Sequence, residues 1–208
     1  MNLDFSLFGF QLSLLDAIGA VIGLFYIVSE YRAGRWFWPL SLFMSAFYAV
    51  IDLKAHYYAN ALICVYNFVM SIYGILVWRG VVQSKDKSER QIGSCPTRYW
   101  MQINIVVAAL FLLLWQLLGM FRQSEYPLID GLSSALTIVG MVMLSQKWWQ
   151  QWYCWMIVEP LMIVLFLLGG LYASALLYVV FEVFCILGLI RWRKEAMKNE
   201  AKVKELES

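Results

Sequence analysis

Tyr58-Ala59-Asn60-Ala61-Leu62 recurs 114 residues later as Tyr172-Ala173-Ser174-Ala175-Leu176. The same offset holds on both sides of that match. Upstream, Asp16 meets Asp130, Trp38 meets Trp152 and Leu53 meets Leu167; downstream, Val65, Val69, Ile72, Gly74, Trp78 and Arg79 meet Val179, Val183, Ile186, Gly188, Trp192 and Arg193. Apolar sequence matches itself often at Leu and Val, but Asp, Trp, Tyr and Gly rarely coincide at one unbroken offset. The chain therefore carries two copies of one unit, over residues 12–78 and 127–192, with a linker over 79–126 and a charged tail over 193–208.

Each unit holds three long apolar runs. A helix that crosses the hydrocarbon core needs about 20 mostly apolar residues. The first copy offers Leu12 to Tyr31, Trp36 to Leu53 and Tyr58 to Trp78. The second offers Pro127 to Leu144, Gln151 to Leu168 and Tyr172 to Ile190, and a seventh run, Tyr99 to Phe121, lies between the copies. Of the 208 residues 62% are hydrophobic and 14% charged, whereas a soluble domain carries about a quarter charged residues. The expectation is an all-α membrane protein, since strands of a barrel would be half as long and would alternate. A three-helix unit ends on the opposite side from its start. One added helix lets the second copy keep the orientation of the first, which gives a three-plus-one-plus-three parallel repeat.

Lys and Arg set the orientation. On the N-terminal side, counting every second loop, stand only Lys54 and Arg122, 2 of the 16 basic residues; the other 14 lie in the opposite loops and the tail. The N-terminus is expected outside and the C-terminus in the cytoplasm. Met1 to Gln11 has no Lys or Arg, so this end does not read as a cleavable signal and is expected to stay on the protein. The tail Arg191 to Ser208 reads as a frayed helix with Glu/Lys pairs, a solvated extension without a part in transport.

Polar residues line one face in six of the seven runs. The first run has Asp16, Gly19, Gly23, Tyr26 and Glu30; the second Ser41, Ser45, Tyr48 and Asp52; the third Asn60, Cys64, Asn67, Ser71 and Gly74. In the second copy the stripes are Asp130, Ser134 and Thr137, then Trp152, Trp155 and Glu159, then Tyr178, Glu182 and Cys185. The fourth run has no such stripe and reads as a lipid-facing strut. A charge near the bilayer centre costs about 2.5–3.5 kcal/mol on insertion scales, and neither Glu159 nor Glu182 has a Lys or Arg at its depth. One reading is a cavity for cations or protons; the other is a protonated acid bonded to a neighbouring helix. Pro160 loosens the helix beside Glu159. Asn67 and Ser71 serve either as site residues or as interhelical glue, and Asp16, Asp52 and Asp130 read as interfacial or capping residues.

Trp152 and Trp155 share the face of Glu159, deeper than the belt of Trp148, Trp149 and Tyr153. Aromatic walls stack on flat rings and attract cations through the ring quadrupole, so a flat cationic ring suits two indoles and a carboxylate. The substrate-binding candidates are Trp152, Trp155, Glu159, Asn67, Ser71, Tyr66, Tyr48, Tyr178 and Glu182. Four cysteines without paired spacing and a single His56 in a loop give no expectation of a disulfide, metal or cofactor. No catalytic motif is present, nor a nucleic-acid motif beyond the basic tail, so neither an enzyme nor a nucleic-acid partner is expected. A seven-helix sensor would need an output domain that the short loops do not offer.

At these residues the chain resembles the PnuC family of bacterial nicotinamide riboside transporters, related to the SWEET transporters. The resemblance rests on the helix layout, on Tyr58-Ala59-x-Ala61-Leu62 with Ser71-Ile72-Tyr73-Gly74-x-x-x-Trp78, and on Trp152-x-x-Trp155. It implies a bacterial inner-membrane protein, a small vitamin as substrate and lipid as surroundings. It further implies facilitated diffusion, binding between two rocking repeats, trapping by a cytoplasmic kinase, and a homotrimer. The family carries Asn four residues after the Trp pair, where this chain has Glu159. Nicotinamide riboside and thiamine are both flat cations and both suit a carboxylate; nicotinamide riboside stands first and thiamine second.

Overall fold

The structure, a computed structural model, describes residues 4–7, 10–54, 58–82, 90–121, 124–170 and 172–207, with side chains from Val21 onward except at 51, 52, 54, 58–60, 173, 204, 206 and 207. A short antiparallel hairpin, β1 (Asp4–Leu7) and β2 (Phe10–Ser13), comes first. Seven long helices follow: α1 (Leu14–Tyr31), α2 (Phe37–Lys54), α3 (Tyr58–Trp78), α4 (Trp100–Met120), α5 (Pro127–Ser145), α6 (Gln151–Leu168) and α7 (Tyr172–Glu207). The fold is helical as expected, with the hairpin as an addition. Leu12 and Ser13 belong to β2, so α1 starts at Leu14 rather than Leu12.

Five helices are long and apolar enough to cross a membrane, and the described parts of α1 and α2 add shorter apolar stretches. Pro127 opens α5 at the position where a missing N–H costs nothing. The tail does not fray: α7 runs unbroken for 36 residues to Glu207. Its last turns are held by tertiary contacts. Ala196 is fully buried, Asn199 Nδ2 donates to the Ile92 carbonyl at 2.9 Å, and Ser94 N–H donates to Glu200 Oε1 at 3.2 Å. The sequence showed only the charge of this segment, and the packing partner lies about a hundred residues away.

Helix α2 packs along α3, and α6 along α7; α1 crosses to α7 and α5 crosses to α3; α4 lies on α5. The two copies repeat each other in detail. The turn after α1 puts Ala33 at φ 49°, and the turn after α5 puts Lys147 at φ 51°. Ala33 N–H donates to the Glu30 carbonyl at 2.9 Å, and Lys147 N–H to the Leu144 carbonyl at 2.9 Å. A left-handed residue closes the helix in each case and turns the chain back into the next helix.

The core follows the same pairing. A Cβ on Gly74 would stand 2.3 Å from the Trp38 indole, and one on Gly188 2.4 Å from the Trp152 indole. Only glycine lets a ring lie flat on the backbone there. Trp38 meets Trp78 edge-on at 5.5 Å and 85°, and Trp152 meets Trp192 at 5.7 Å and 87°. Each outer indole then reaches into the other copy. Trp78 Nε1 donates to the Leu144 carbonyl at 3.2 Å and Trp192 Nε1 to the Tyr31 carbonyl at 3.0 Å. Trp78 and Trp192 meet at 6.4 Å between the halves. These two indole N–H groups thus find acceptors at helix C-termini, while those of Trp38 and Trp152 have no partner among the described residues.

Candidate functional site

Beside the tryptophan core lies a group of buried polar atoms without a full hydrogen bond: Glu30 Oε1, both amide atoms of Gln151, Trp155 Nε1, Glu159 Oε2 and Glu182 Oε2; Asn67 Oδ1 on α3 and, within the core, Trp38 Nε1 and Trp152 Nε1 are the others among the described residues. Buried polar groups are bonded in the great majority of cases, and a set of exceptions in one place marks a site for water or a ligand. Glu159 is 7% exposed and Glu30 3%. Glu30 stands against Gln151 and Trp155, and Glu159 is within electrostatic reach of both Glu30 and Glu182. Tyr26 and Tyr178 sit near Glu159 as well, and Tyr178 near Tyr48. No metal-holding group of His, Cys, Asp or Glu occurs among the described residues.

These members come from α1 (Tyr26, Glu30), α6 (Gln151, Trp155, Glu159) and α7 (Tyr178, Glu182), with Asn67 on α3. The contacts of α1 with α7 and of α6 with α7 bring the first three together. Local space at Trp155 comes from α5: a Cβ on Gly140 would be 3.3 Å from the Trp155 ring. The half-buried Trp155 indole therefore rests on a bare stretch of backbone, with its N–H turned toward Glu30 but not closing a full hydrogen bond.

The sequence candidates divide. Trp155, Glu159, Glu182 and Tyr178 converge. Trp152 is fully buried, and its ring face lies on Gly188 with its edge against Trp192. It braces α6 and presents no free face. Ser71 is also fully buried; its hydroxyl bonds the Asn67 carbonyl at 2.7 Å and Ser41 Oγ at 2.9 Å, joining α3 to α2. Tyr66 donates to the Ile138 carbonyl at 2.7 Å and ties α3 to α5. Tyr48 is exposed and meets Phe47 edge-on. The side chains of Asp16, Gly19, Asp52 and Asn60 lie outside the described residues.

Glu30 and Gln151 were not among the candidates. Glu30 stands on the polar stripe of the first run, but nothing local singles it out from that stripe, because its partners on α6 are more than 120 positions away. Gln151 looks like a helix start. A signal that singles out both is their departure from the repeat: where the first copy has Glu30 the second has Leu144, and where the second has Gln151 the first has Phe37.

A family model described as Nicotinamide mononucleotide transporter matches residues 13–194. The chain belongs to this family. It is the PnuC family of the sequence expectation, so the protein is a membrane transporter rather than an enzyme, and a multi-pass protein of the bacterial inner membrane. The chain is similar to the nicotinamide riboside transporter PnuC of Escherichia coli (strain K12), 24% identical over 92% of this chain and 90% of that one. It is similar to the riboflavin/roseoflavin transporter RibM of Streptomyces davaonensis, 22% identical over 97% of this chain and 94% of the other. A crystal structure of the vitamin B3 transporter PnuC superposes with a TM-score of 0.70 at 19% identity, covering 88% of this chain and 82% of that one. That likeness establishes the PnuC fold.

Proposed function

We propose that this PnuC-family transporter takes up a flat cationic vitamin, nicotinamide riboside first among the candidates. The observation that carries the reading is the cluster itself: the Trp155 indole, Glu30 standing against it, Glu159 one turn along α6, and Glu182 near. A cationic ring gains from the carboxylates by charge and from the indole through its quadrupole, while a neutral ring keeps only the stacking. Relatives that carry nicotinamide riboside support the choice. Thiamine is the second reading. It is favoured by Glu159 standing where the family pattern has Asn, because a second cationic ring system meets the same acid.

The same reading has two parallel three-helix repeats around α4, the N-terminus outside and the C-terminus in the cytoplasm. It is supported by the matched turns at Ala33 and Lys147 and the matched Trp-on-Gly contacts. Five basic residues over aromatic rings at one end of the bundle, Arg35, Arg98, Lys147, Arg191 and Arg193, suit a cytoplasmic interface. Transport is facilitated diffusion by rocking of the repeats, a cytoplasmic kinase traps the product, and the assembly is a trimer. Calorimetric titration with nicotinamide riboside, thiamine and riboflavin, followed by uptake into vesicles loaded with unlabelled vitamin, tests this. Binding and exchange of nicotinamide riboside are expected; exchange of riboflavin alone would overturn the cation reading. A reporter fused after Ser208 is expected to be active only in the cytoplasm.

A further inference from the structure

We propose that Glu30 is the second carboxylate of the substrate site, which with Glu159 brackets the cationic end of the solute across Trp155 and makes the pocket select cations over neutral rings. The inference rests on the uptake reading above and adds a residue to it.

Three observations carry it. Glu30 is 3% exposed with Oε1 unpartnered, and the groups acting on it are Gln151 and Trp155, while the nearby Arg191 guanidinium is over the Tyr31 ring. The side chains it faces, Gln151 and Trp155, turn their N–H groups toward it without closing a full hydrogen bond. And the charged groups within reach of Glu159 are Glu30 and Glu182, acids both. Two buried acids within electrostatic reach of each other, acted on by Gln151, Trp155 and Glu182 rather than by a cation, are a costly arrangement for a merely structural cluster, because removing charge from water is repaid only by an opposite charge in good geometry. A cationic ligand repays both at once.

The repeat isolates the polar pair. At the positions equivalent to Glu30 and Gln151 the other half holds Leu144 and Phe37, both fully buried in the tryptophan core. The fold therefore accepts apolar residues at these places, and the polar pair on one side only is an addition to the scaffold. Glu30 stands against Trp155, one helical turn from Glu159, and the two acids act on each other electrostatically, so a cation over the indole meets both.

Glu30→Gln and Glu30→Ala, beside Glu159→Gln, are titrated calorimetrically with nicotinamide riboside and with its neutral dihydro form, and their thermal unfolding is recorded. Glu30→Gln is expected to weaken the cation roughly tenfold, as for loss of one charge-assisted bond, and the neutral form less than twofold, with unfolding unchanged. Equal loss for both forms, or unchanged binding with a lower unfolding temperature, would overturn the assignment and leave Glu30 a packing residue. If the wild type binds neither riboside, the vitamin reading fails by itself. The carboxylate pair is then tested with 1-methylnicotinamide against nicotinamide. Loss of preference for the cation in Glu30→Gln supports it, and no preference in the wild type overturns it.

Discussion

Trp38 and Trp152 occupy matching places, whereas one turn further along the same helices Ser41 and Trp155 do not. Both tryptophans are buried flat on a glycine and edge-on to a second tryptophan. Ser41 is a small hydroxyl bonded to Ser71, while its counterpart Trp155 is a half-buried indole whose N–H turns toward Glu30 without closing a full hydrogen bond. The next turn repeats the contrast, with Ser45 in the first copy and Glu159 in the second. Across the bundle the sizes reverse: Tyr26 stands near Ser41, and its counterpart Gly140 leaves room for Trp155. Shared positions pack the core, and divergent ones gather buried polar atoms on one side.

The widest effect is expected at the shared positions. Gly74→Ala and Gly188→Ala each drive a methyl into an indole that has backbone on one side and another tryptophan on the other. Each should cost about 1–3 kcal/mol of stability, the range for overpacking, visible as earlier thermal unfolding in detergent. A large loss at Gly188 with none at Gly74 breaks the equivalence of the halves.

Trp155→Ala is expected to lower substrate affinity by about 1–3 kcal/mol, a range taken from base–aromatic stacking. Ser41→Ala at the matching position should leave binding nearly unchanged. Wild-type affinity in Trp155→Ala removes the indole from the site. Glu159→Gln sharpens the contrast with Ser45. It should cost a cationic substrate about tenfold, or ~1.4 kcal/mol, and a neutral analogue much less; equal losses speak for a structural acid. The smallest effect belongs to the α7 extension. Asn199→Ala removes one bond to the Ile92 carbonyl and is expected to cost about 0.5–1.5 kcal/mol of stability with substrate affinity intact. A change in affinity there would tie the extension to transport.

The extent of the helices was legible because hydrophobic length and Lys/Arg placement are local properties. Tyr58 to Trp78 and Gln151 to Leu168 came out with the expected ends. The hairpin before α1 was missed because Phe10 to Ser13 continues an apolar run and no turn residue separates it from the helix. The candidate site was legible in part. Trp155, Glu159, Glu182 and Tyr178 share faces of α6 and α7, and periodicity exposes that. It could not tell Trp152, which braces the core, from Trp155, which stands against Glu30, since both lie on one helix face three residues apart.

By itself the sequence determined that this chain matches itself at an offset of 114 residues, that it lives in a membrane, and that acids occur inside its apolar runs. Those follow from spacing and composition, which each segment carries alone. Tertiary structure decided which polar groups meet. Glu30 faces Gln151 and Trp155 because α1 crosses to α7 and lies against the far copy, a pairing between distant segments that no periodicity encodes. It decided also which polar atoms go unanswered, because a missing partner is defined only once every neighbour is in place.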